Sequence, residues 1–457
     1  MASRVAVVGA GPAGIEASRA AVAGGAAVTL IGAELPGGRA NWHSLLPSKV
    51  FLTAADMLGS LDRLENLGIS HSGGQEAQLR LLVERVRTLS RVRSERTVAE
   101  LAARGVAFVQ GGARFNGANS LVVERGDGTS TTVETDRVIL ATGSVPVFPP
   151  GLKPNGKEIL APRFVGRLER LPSRMIVVGG GVTGTEFVYA FSRLGVRVSW
   201  VVDEFGVLPT FDREVVGLLL ESLQGRGVDL YEGTAESVSA ANDVAVTLRN
   251  GEVLHAESAF LAIGRRADLA GLGLESAGLV TASSGAILVD QYCRSGVEHI
   301  YAAGDCTGAP MCANKAMLQG FVAGTHAVGG RSRSFRSDAI VEAVYTDPQI
   351  AQVGLSEAAA MTEGRSVDVW RADYDATLKA LLQGETEGFV KLVVESGTGR
   401  IIGAMAGGPH AADVLAPVAV AIGLGATRED LAAMFAAHPT LGELAFDAAR
   451  RSGGLSL

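Results

Sequence analysis

The stretch Arg4-Val5-Ala6-Val7-Val8-Gly9-Ala10-Gly11-Pro12-Ala13-Gly14 decides the fold. A short apolar run enters a G-x-G-x-x-G turn, a helix-compatible stretch continues to residue 23, and 27–31 supplies a second apolar run. Strand, glycine turn, helix and strand in that order open a dinucleotide-binding unit. Bare backbone lets a pyrophosphate approach the free N–H groups at the helix start, where the dipole favours negative charge. Gly9, Gly11, Pro12, Ala13 and Gly14 are the candidate binding residues. The acid that usually closes the second strand and holds a ribose is replaced by Gly32, which leaves Glu34 as the nearest carboxylate for that task.

The pattern recurs. Residues 174–178 enter Gly179-Gly180-Gly181-Val182-Thr183-Gly184-Thr185-Glu186, and 196–202 supply the next strand. Gly9, Gly11, Gly14 and Glu16 reappear 170 positions later as Gly179, Gly181, Gly184 and Glu186. Two such units in one chain suggest one dinucleotide held permanently and one that visits. Around the second turn, Val182, Thr183 and Thr185 join the glycines as candidate binding residues. The ribose-acid position falls on Val202, with Asp203 next. A carboxylate there repels a 2′-phosphate and can accept from ribose hydroxyls, so NADH is expected over NADPH.

Length and composition bound the rest. A chain of 457 residues has room for two to four domains. The formal net charge of -7 argues against nucleic acid or an anionic membrane as main partner. With 47% hydrophobic residues, the 59 glycines belong to turns and cofactor loops rather than to disorder. No apolar run reaches the roughly 18 residues of a membrane span. The most apolar stretch, 414–424, contains Pro417 and is expected as a buried helix. The first residues lack a signal-peptide pattern, so a cytoplasmic location is expected. Cys293, Cys306 and Cys312 provide no disulfide framework, and no metal site is expected. Cys306 and Cys312 are read as small, partly buried residues; the alternative is a relocated redox pair.

Between the two units lies Gly37-Gly38-Arg39-Ala40-Asn41-Trp42-His43-Ser44-Leu45-Leu46-Pro47-Ser48-Lys49. It resembles the signature segment of the FAD-dependent pyridine nucleotide-disulfide oxidoreductases, such as dihydrolipoamide dehydrogenase and glutathione reductase. There it reads G-G-T-C-x4-C-x-P-S-K, and the two cysteines form a disulfide that takes electrons from flavin. Here the glycine pair and P-S-K stand in register, but Ala40 and Leu45 fill both cysteine positions. Further motifs follow in the family's order. Gly112-Ala113-Arg114-Phe115 resembles a turn that touches adenine by backbone, and Ala141-Thr142-Gly143-Ser144 the A-T-G turn. Gly264-Arg265 resembles the end of the pyridine nucleotide domain. His299-Ile300-Tyr301-Ala302-Ala303-Gly304-Asp305 resembles the second FAD fingerprint, whose aspartate binds a ribityl hydroxyl. Met311-Cys312-Ala313 would open a helix facing the flavin's pyrimidine edge, with Asn314 where histidine is frequent. Residues 343–357 resemble the start of the dimer-interface domain, and His438-Pro439-Thr440-Leu441-Gly442-Glu443 matches H-P-T-x-x-E.

The resemblance runs from residue 4 to about 450. It implies an α/β fold with two Rossmann-like domains, for FAD and NAD(P), and a C-terminal α+β dimerisation domain. The expected divisions are 1–150, 151–267, 268–337 and 338–457, in a homodimer. Lys49 and Glu186 are expected to pair beside flavin N5, with Gly38 and Arg39 also on the cofactor. Lys49 would stabilise charge on the reduced ring, and Glu186 would neutralise Lys49 and contact the nicotinamide amide. His438 and Glu443 would serve as the acid–base pair contributed by the partner subunit. Without sulfur at 40 and 45, reduced flavin is expected to pass electrons directly to a small, quinone-like acceptor. Trp42 is either a stacking wall for it or core filling. The nearest resemblance is to dihydrolipoamide-dehydrogenase-like NAD(P)H quinone reductases, which share GVTGxEF and YAAGDCTG with residues 181–187 and 301–308. One alternative is a soluble transhydrogenase, whose T-H-W-G-like loop is echoed in Asn41-Trp42-His43. The other is a catalytically idle flavoprotein with a binding or scaffold role.

Overall fold

Strand β1 (Arg4–Val8), helix α1 (Pro12–Ala23) and strand β2 (Ala27–Gly32) form on the opening motif. The computed structural model describes residues 2–61, 64, 68–69 and 77–451. Val5, Ala6, Val7 and Val8 are all buried, which is why this strand is apolar throughout rather than alternating. Pro12 starts α1 where a missing N–H costs nothing. Helices α2 (Gly38–Trp42), α3 (Leu45–Leu61) and α4 (Leu79–Ala103) follow. Helix α4 takes up most of 61–104, a charged stretch whose sequence is compatible with helix; 62–63, 65–67 and 70–76 lie outside the described residues.

Next come β3 (Ala107–Gln110), β4 (Gly112–Phe115), β5 (Ser120–Glu124), β6 (Ser130–Glu134), β7 (Arg137–Leu140) and β8 (Ser144–Pro146). The turn expected over Gly112-Ala113-Arg114-Phe115 is instead a strand. It pairs antiparallel with β5, Phe115 opposite Leu121, and both side chains of that pair are buried. The buried Phe115–Leu121 pair favours the ladder over a turn.

The second dinucleotide motif builds β10 (Arg174–Val178), α5 (Val182–Arg193) and β11 (Arg197–Val202), after a short β9 (Ile159–Leu160). Helix α6 (Arg213–Gly225), β12 (Asp229–Glu232), a hairpin set β13 (Ala235–Ala240), β14 (Val244–Leu248) and β15 (Val253–Ala256), and β16 (Ser258–Leu261) complete it. Its parallel sheet runs β12-β11-β10-β16-β9.

Strands β17 (Arg265–Ala267) and β18 (Ile300–Ala302) and helix α7 (Ala313–Ala327) return to the first motif. The first parallel sheet is therefore β18-β7-β1-β2-β3, with β17 paired to β8. Helices α1 and α7 pack closely through glycine. A Cβ on Gly320 would lie 2.1 Å from the Ala13 carbonyl oxygen, and one on Gly324 2.3 Å from that of Ala17.

The last part changes to antiparallel pairing: β19 (Glu342–Val344), β20 (Gln349–Gly354), β21 (Val367–Asp373), β22 (Phe389–Glu395) and β23 (Ile401–Gly408), ordered β19-β20-β23-β22-β21. Helices α8 (Glu357–Thr362), α9 (Leu378–Gln383), α10 (Ala411–Val414), α11 (Ala416–Leu424), α12 (Arg428–Ala432) and α13 (Glu443–Arg450) accompany them. The buried helix expected over 414–424 is buried on one side alone. Val418 and Ile422 face the core, while Val420 and Leu424 are 62% and 61% exposed. A helix turns 100° per residue, so an apolar sequence all round still presents two faces.

By contacts the chain divides into two units: residues up to Pro47 with Val83–Val147 and Gly264–Phe335, and Ser48–Leu82 with Phe148–Ile263 and the residues from Arg336 on. Two parallel Rossmann-like sheets and a C-terminal α+β part give the α/β fold class expected. Among the described residues no helix is long and apolar enough to cross a membrane.

Candidate active site

In the first unit, the glycines of the opening turn divide by what surrounds them. Gly9 has φ +113°, and a Cβ there would lie 2.1 Å from the Ala141 carbonyl oxygen; one on Gly14 would lie 1.8 Å from that of Gly9. Protein packing accounts for both. A Cβ on Gly11 would meet nothing within 4 Å. Protein packing does not account for glycine at Gly11, and its open backbone fits a pyrophosphate approaching the start of α1. Gly38 seals the turn's other side, since its Cβ would lie 2.7 Å from the Gly11 Cα. Thr142 adds a buried hydroxyl with no hydrogen-bond partner among the described residues. Buried polar atoms are rarely left orphaned, so a bound group is the natural partner. These features fit FAD.

The signature segment is held by hydrogen bonds. Arg39 pairs with Asp268 at 2.5 Å and donates to the Thr142 carbonyl oxygen at 3.2 Å. Buried Asn41 donates to the Ser90 carbonyl at 2.9 Å, and the Ser90 hydroxyl donates back to the Asn41 carbonyl at 2.8 Å. Trp42 Nε1 donates to the Leu35 carbonyl, 3.2 Å. Glu34 is exposed and lies 2.7 Å from His43 Nε2, the contact that most lowers its carboxyl pKa. Sequence reasoning missed the Asn41–Ser90 exchange; an asparagine within the signature segment was its one signal.

Asp305 accepts from the Ser144 hydroxyl at 2.5 Å. Arg265, named in the sequence only as part of the Gly264-Arg265 motif, donates to that hydroxyl oxygen at 2.7 Å and to the Ser144 carbonyl at 2.8 Å. Burial pushes the Arg265 guanidinium below its ordinary pKa, with the Asp305 charge working against that shift. Gly143 and Gly264 both have positive φ with open space around them. Ala113 lies half-buried in β4. Met311 and Cys312 precede α7, which begins at Ala313. The buried Lys315 donates to the Gly308 carbonyl at 2.5 Å, and burial lowers its pKa. Burial pushes the Cys293 thiol up to about 12 and the Cys306 thiol up to about 11. Cys306 Sγ donates to the Leu140 and Ala303 carbonyls.

The second unit repeats the glycine logic. Gly179 has φ +122°; its Cβ would lie 2.3 Å from the Ala262 carbonyl oxygen, and that of Gly184 2.0 Å from the Gly179 carbonyl oxygen. Gly181 again meets nothing within 4 Å. Val182 and Thr183 open α5, and the Thr185 hydroxyl donates to the Gly181 carbonyl, 3.0 Å. Asp203 lies exposed just past β11, where its carboxylate accepts from the Phe205 N–H at 3.2 Å. These residues fit a second dinucleotide.

Beside that turn, Lys49 on α3 places Nζ 2.7 and 2.8 Å from the two carboxylate oxygens of Glu186 on α5. The side chains are 34% and 4% exposed. A carboxylate so buried needs donors on its oxygens. Lys49 supplies two contacts, and the Tyr345 N–H donates a third at 3.2 Å. Elsewhere in the second unit, His438 Nδ1 lies 2.8 Å from Glu443 Oε1, and the Thr440 N–H donates to Oε2 at 2.8 Å. Burial opposes the Glu443 charge, but the bonds from His438 and Thr440 hold its pKa below the ordinary value. The imidazole is 64% exposed. With Nδ1 engaged, Nε2 is the atom left to exchange a proton.

Two dinucleotide cradles and a lysine–glutamate pair in one chain define the class, a two-dinucleotide oxidoreductase. Residues 3–320 match the family model described as pyridine nucleotide-disulphide oxidoreductase, and 340–449 match its dimerisation domain. The chain belongs to the pyridine nucleotide-disulfide oxidoreductase family, flavoproteins that depend on FAD and NAD(P). It is 33% identical to an NAD(P)H dehydrogenase (quinone) of Mycobacterium tuberculosis H37Rv, over 99% of this chain and 94% of that protein. It is also 33% identical to a dihydrolipoyl dehydrogenase of Halobacterium salinarum, over 98% and 96%. The crystal structure of LpdA from Mycobacterium tuberculosis superposes with a TM-score of 0.93 at 32% identity, covering 98% of this chain and 99% of that one.

Proposed function

We propose that this chain is an NADH-preferring, FAD-dependent oxidoreductase that passes electrons from flavin directly to a small non-disulfide acceptor, a quinone. The observation that carries this reading is the chemistry at positions 40 and 45, where alanine and leucine stand at the family's cysteine positions. Two of the three thiols are poorly suited to a relay, since Cys293 and Cys306 are buried and kept protonated at neutral pH, while Cys312 is partly exposed just before α7. One similar protein bears the name NAD(P)H dehydrogenase (quinone), while others are dihydrolipoyl dehydrogenases, which makes the acceptor the point to test.

FAD, when bound, supplies a carrier that takes two electrons from a nicotinamide and releases them to a second partner. Gly9, Gly11, Pro12, Ala13 and Gly14 would receive its pyrophosphate at the start of α1. Arg39, Thr142, Gly143, Ser144 and Asp305 would hold its middle, and Met311, Cys312 and Ala313 would present the start of α7, whose dipole favours negative charge. Gly179, Gly181 and Gly184 would receive the pyrophosphate of NADH, and Asp203 would accept from its ribose. Glu186 holds Lys49 in place and orients the nicotinamide. A quinone taking two electrons also takes two protons, and His438, oriented by Glu443, is the donor in this reading. The dimerisation domain supports a homodimer in which that pair serves the partner's site.

Steady-state turnover of NADH against quinones, lipoamide, glutathione disulfide and an NADP+ analogue tests the reading. Quinone turnover without disulfide turnover is expected. Disulfide turnover, or hydride exchange with the NADP+ analogue alone, contradicts it.

A further inference from the structure

Tyr345 lies just past β19 and touches both members of the Lys49–Glu186 pair. Its backbone N–H donates to Glu186 Oε1 at 3.2 Å, and Lys49 Nζ stands 4.6 Å from the centroid of its ring. A third element thus closes on a contact between two helices. The partners differ in what they need. Glu186 is buried and held by three hydrogen bonds from two donor groups, whereas Lys49 is a third exposed on a flexible four-carbon stem. The face of an aromatic ring attracts an ammonium and limits where it can swing.

The segment carrying Tyr345 is itself anchored two residues on. Arg193 and Arg226 each reach Asp347 at 3.1 Å, and the Tyr189 hydroxyl donates to Asp56 at 2.8 Å. Asp56 lies seven residues beyond Lys49 on α3, and Arg193 seven beyond Glu186 on α5. Seven residues are two helical turns, so a second polar layer joins the same three elements behind the first. Tyr345 is held against the pair from behind.

We propose that Tyr345 is a positioning residue for the Lys49–Glu186 pair, its N–H fixing the carboxylate and its ring fixing the ammonium. This rests on the reading of that pair as the nicotinamide-side machinery. Because the N–H persists in every side-chain variant, substitution isolates the ring.

Wild-type, Tyr345→Phe, Tyr345→Leu and Glu186→Ala holoenzymes are mixed anaerobically with a concentration series of NADH, and flavin bleaching is followed by stopped flow. Tyr345→Phe keeps the wild-type limiting rate. Tyr345→Leu lowers it about two- to fivefold, the scale of one partly exposed cation–π contact, with the NADH dependence and the bound-flavin spectrum unchanged. Tyr345→Leu as fast as wild type, beside a slow Glu186→Ala, overturns the proposal and leaves the reading of the pair standing. Tyr345→Phe as slow as Tyr345→Leu also overturns it, since the hydroxyl would then be the active element. Glu186→Ala as fast as wild type overturns the reading itself and the proposal with it. If Tyr345→Leu does not yield holoenzyme, Tyr345→Met takes its place.

Discussion

Lys49 Nζ sits 2.7 and 2.8 Å from the two oxygens of Glu186, a residue 137 positions away in sequence. The glutamate is nearly inaccessible, so removing its partner strands a buried carboxylate, a change on the order of 3–5 kcal/mol for such pairs. Lys49→Met should therefore retain FAD yet slow reduction by NADH about tenfold or more, as read by anaerobic stopped flow. An unchanged rate would place the pair outside the reductive half-reaction.

Gly181 and Gly184 are three residues apart and should fail in different ways. Alanine at Gly184 drives a Cβ to 2.0 Å from the Gly179 carbonyl oxygen, so the fold must shift. Alanine at Gly181 meets no protein atom. Gly184→Ala should lower the thermal midpoint by several degrees, whereas Gly181→Ala should leave it near wild type and raise KM for NADH. A Gly181→Ala protein with unchanged KM would mean that no pyrophosphate approaches there.

Asp203 carries the expected preference for NADH. Asp203→Arg replaces a carboxylate with a guanidinium suited to a 2′-phosphate. The ratio of kcat/KM for NADPH over NADH should rise by about tenfold or more, the scale of reversing one charge at a charged ligand. A ratio that does not move would assign the preference to other residues.

The α/β fold was legible because glycine turns sit between apolar runs at a repeated spacing, and the family because residues 37–49 and the motifs after them resemble its pattern. What periodicity could not supply was environment. Glu16 and Glu186 occupy the same place in the two motifs, yet Glu16 pairs with Arg19 at 2.5 Å on α1, whereas Glu186 is buried against Lys49. The carboxylates differ in what packs over them, and that comes from residues far away in sequence. The same limit hid β4, where burial of Phe115 opposite Leu121 outweighs a turn-like Gly-Ala-Arg. It also hid the exposed Val420 and Leu424, since an apolar run does not reveal which side the core occupies. Tyr345 gave no sequence signal, because half its contact with the pair comes from a backbone N–H.

His438 tests whether protons are delivered by the protein. Its ring is fixed by Glu443, which Thr440 holds in turn. His438→Gln should leave reduction by NADH intact and slow reoxidation by quinones, by up to the roughly 10²–10⁴ of general acid catalysis. Ferricyanide, a one-electron acceptor that takes no proton, should be spared. Equal reoxidation rates for mutant and wild type across several quinones would reduce the His438–Glu443 pair to a structural role.

In the proposed function, electrons leave the flavin without passing through a disulfide. The most direct measurement is anaerobic: holoenzyme reduced with one equivalent of NADH, its visible spectrum recorded, then mixed separately with a quinone and with lipoamide. The expected result is bleaching without the long-wavelength thiolate-to-flavin charge-transfer band of dithiol enzymes, rapid recovery of flavin colour with quinone, none with lipoamide, and no effect of prior thiol alkylation. A charge-transfer band, or reoxidation by lipoamide that alkylation abolishes, would contradict it and assign the relay to another cysteine.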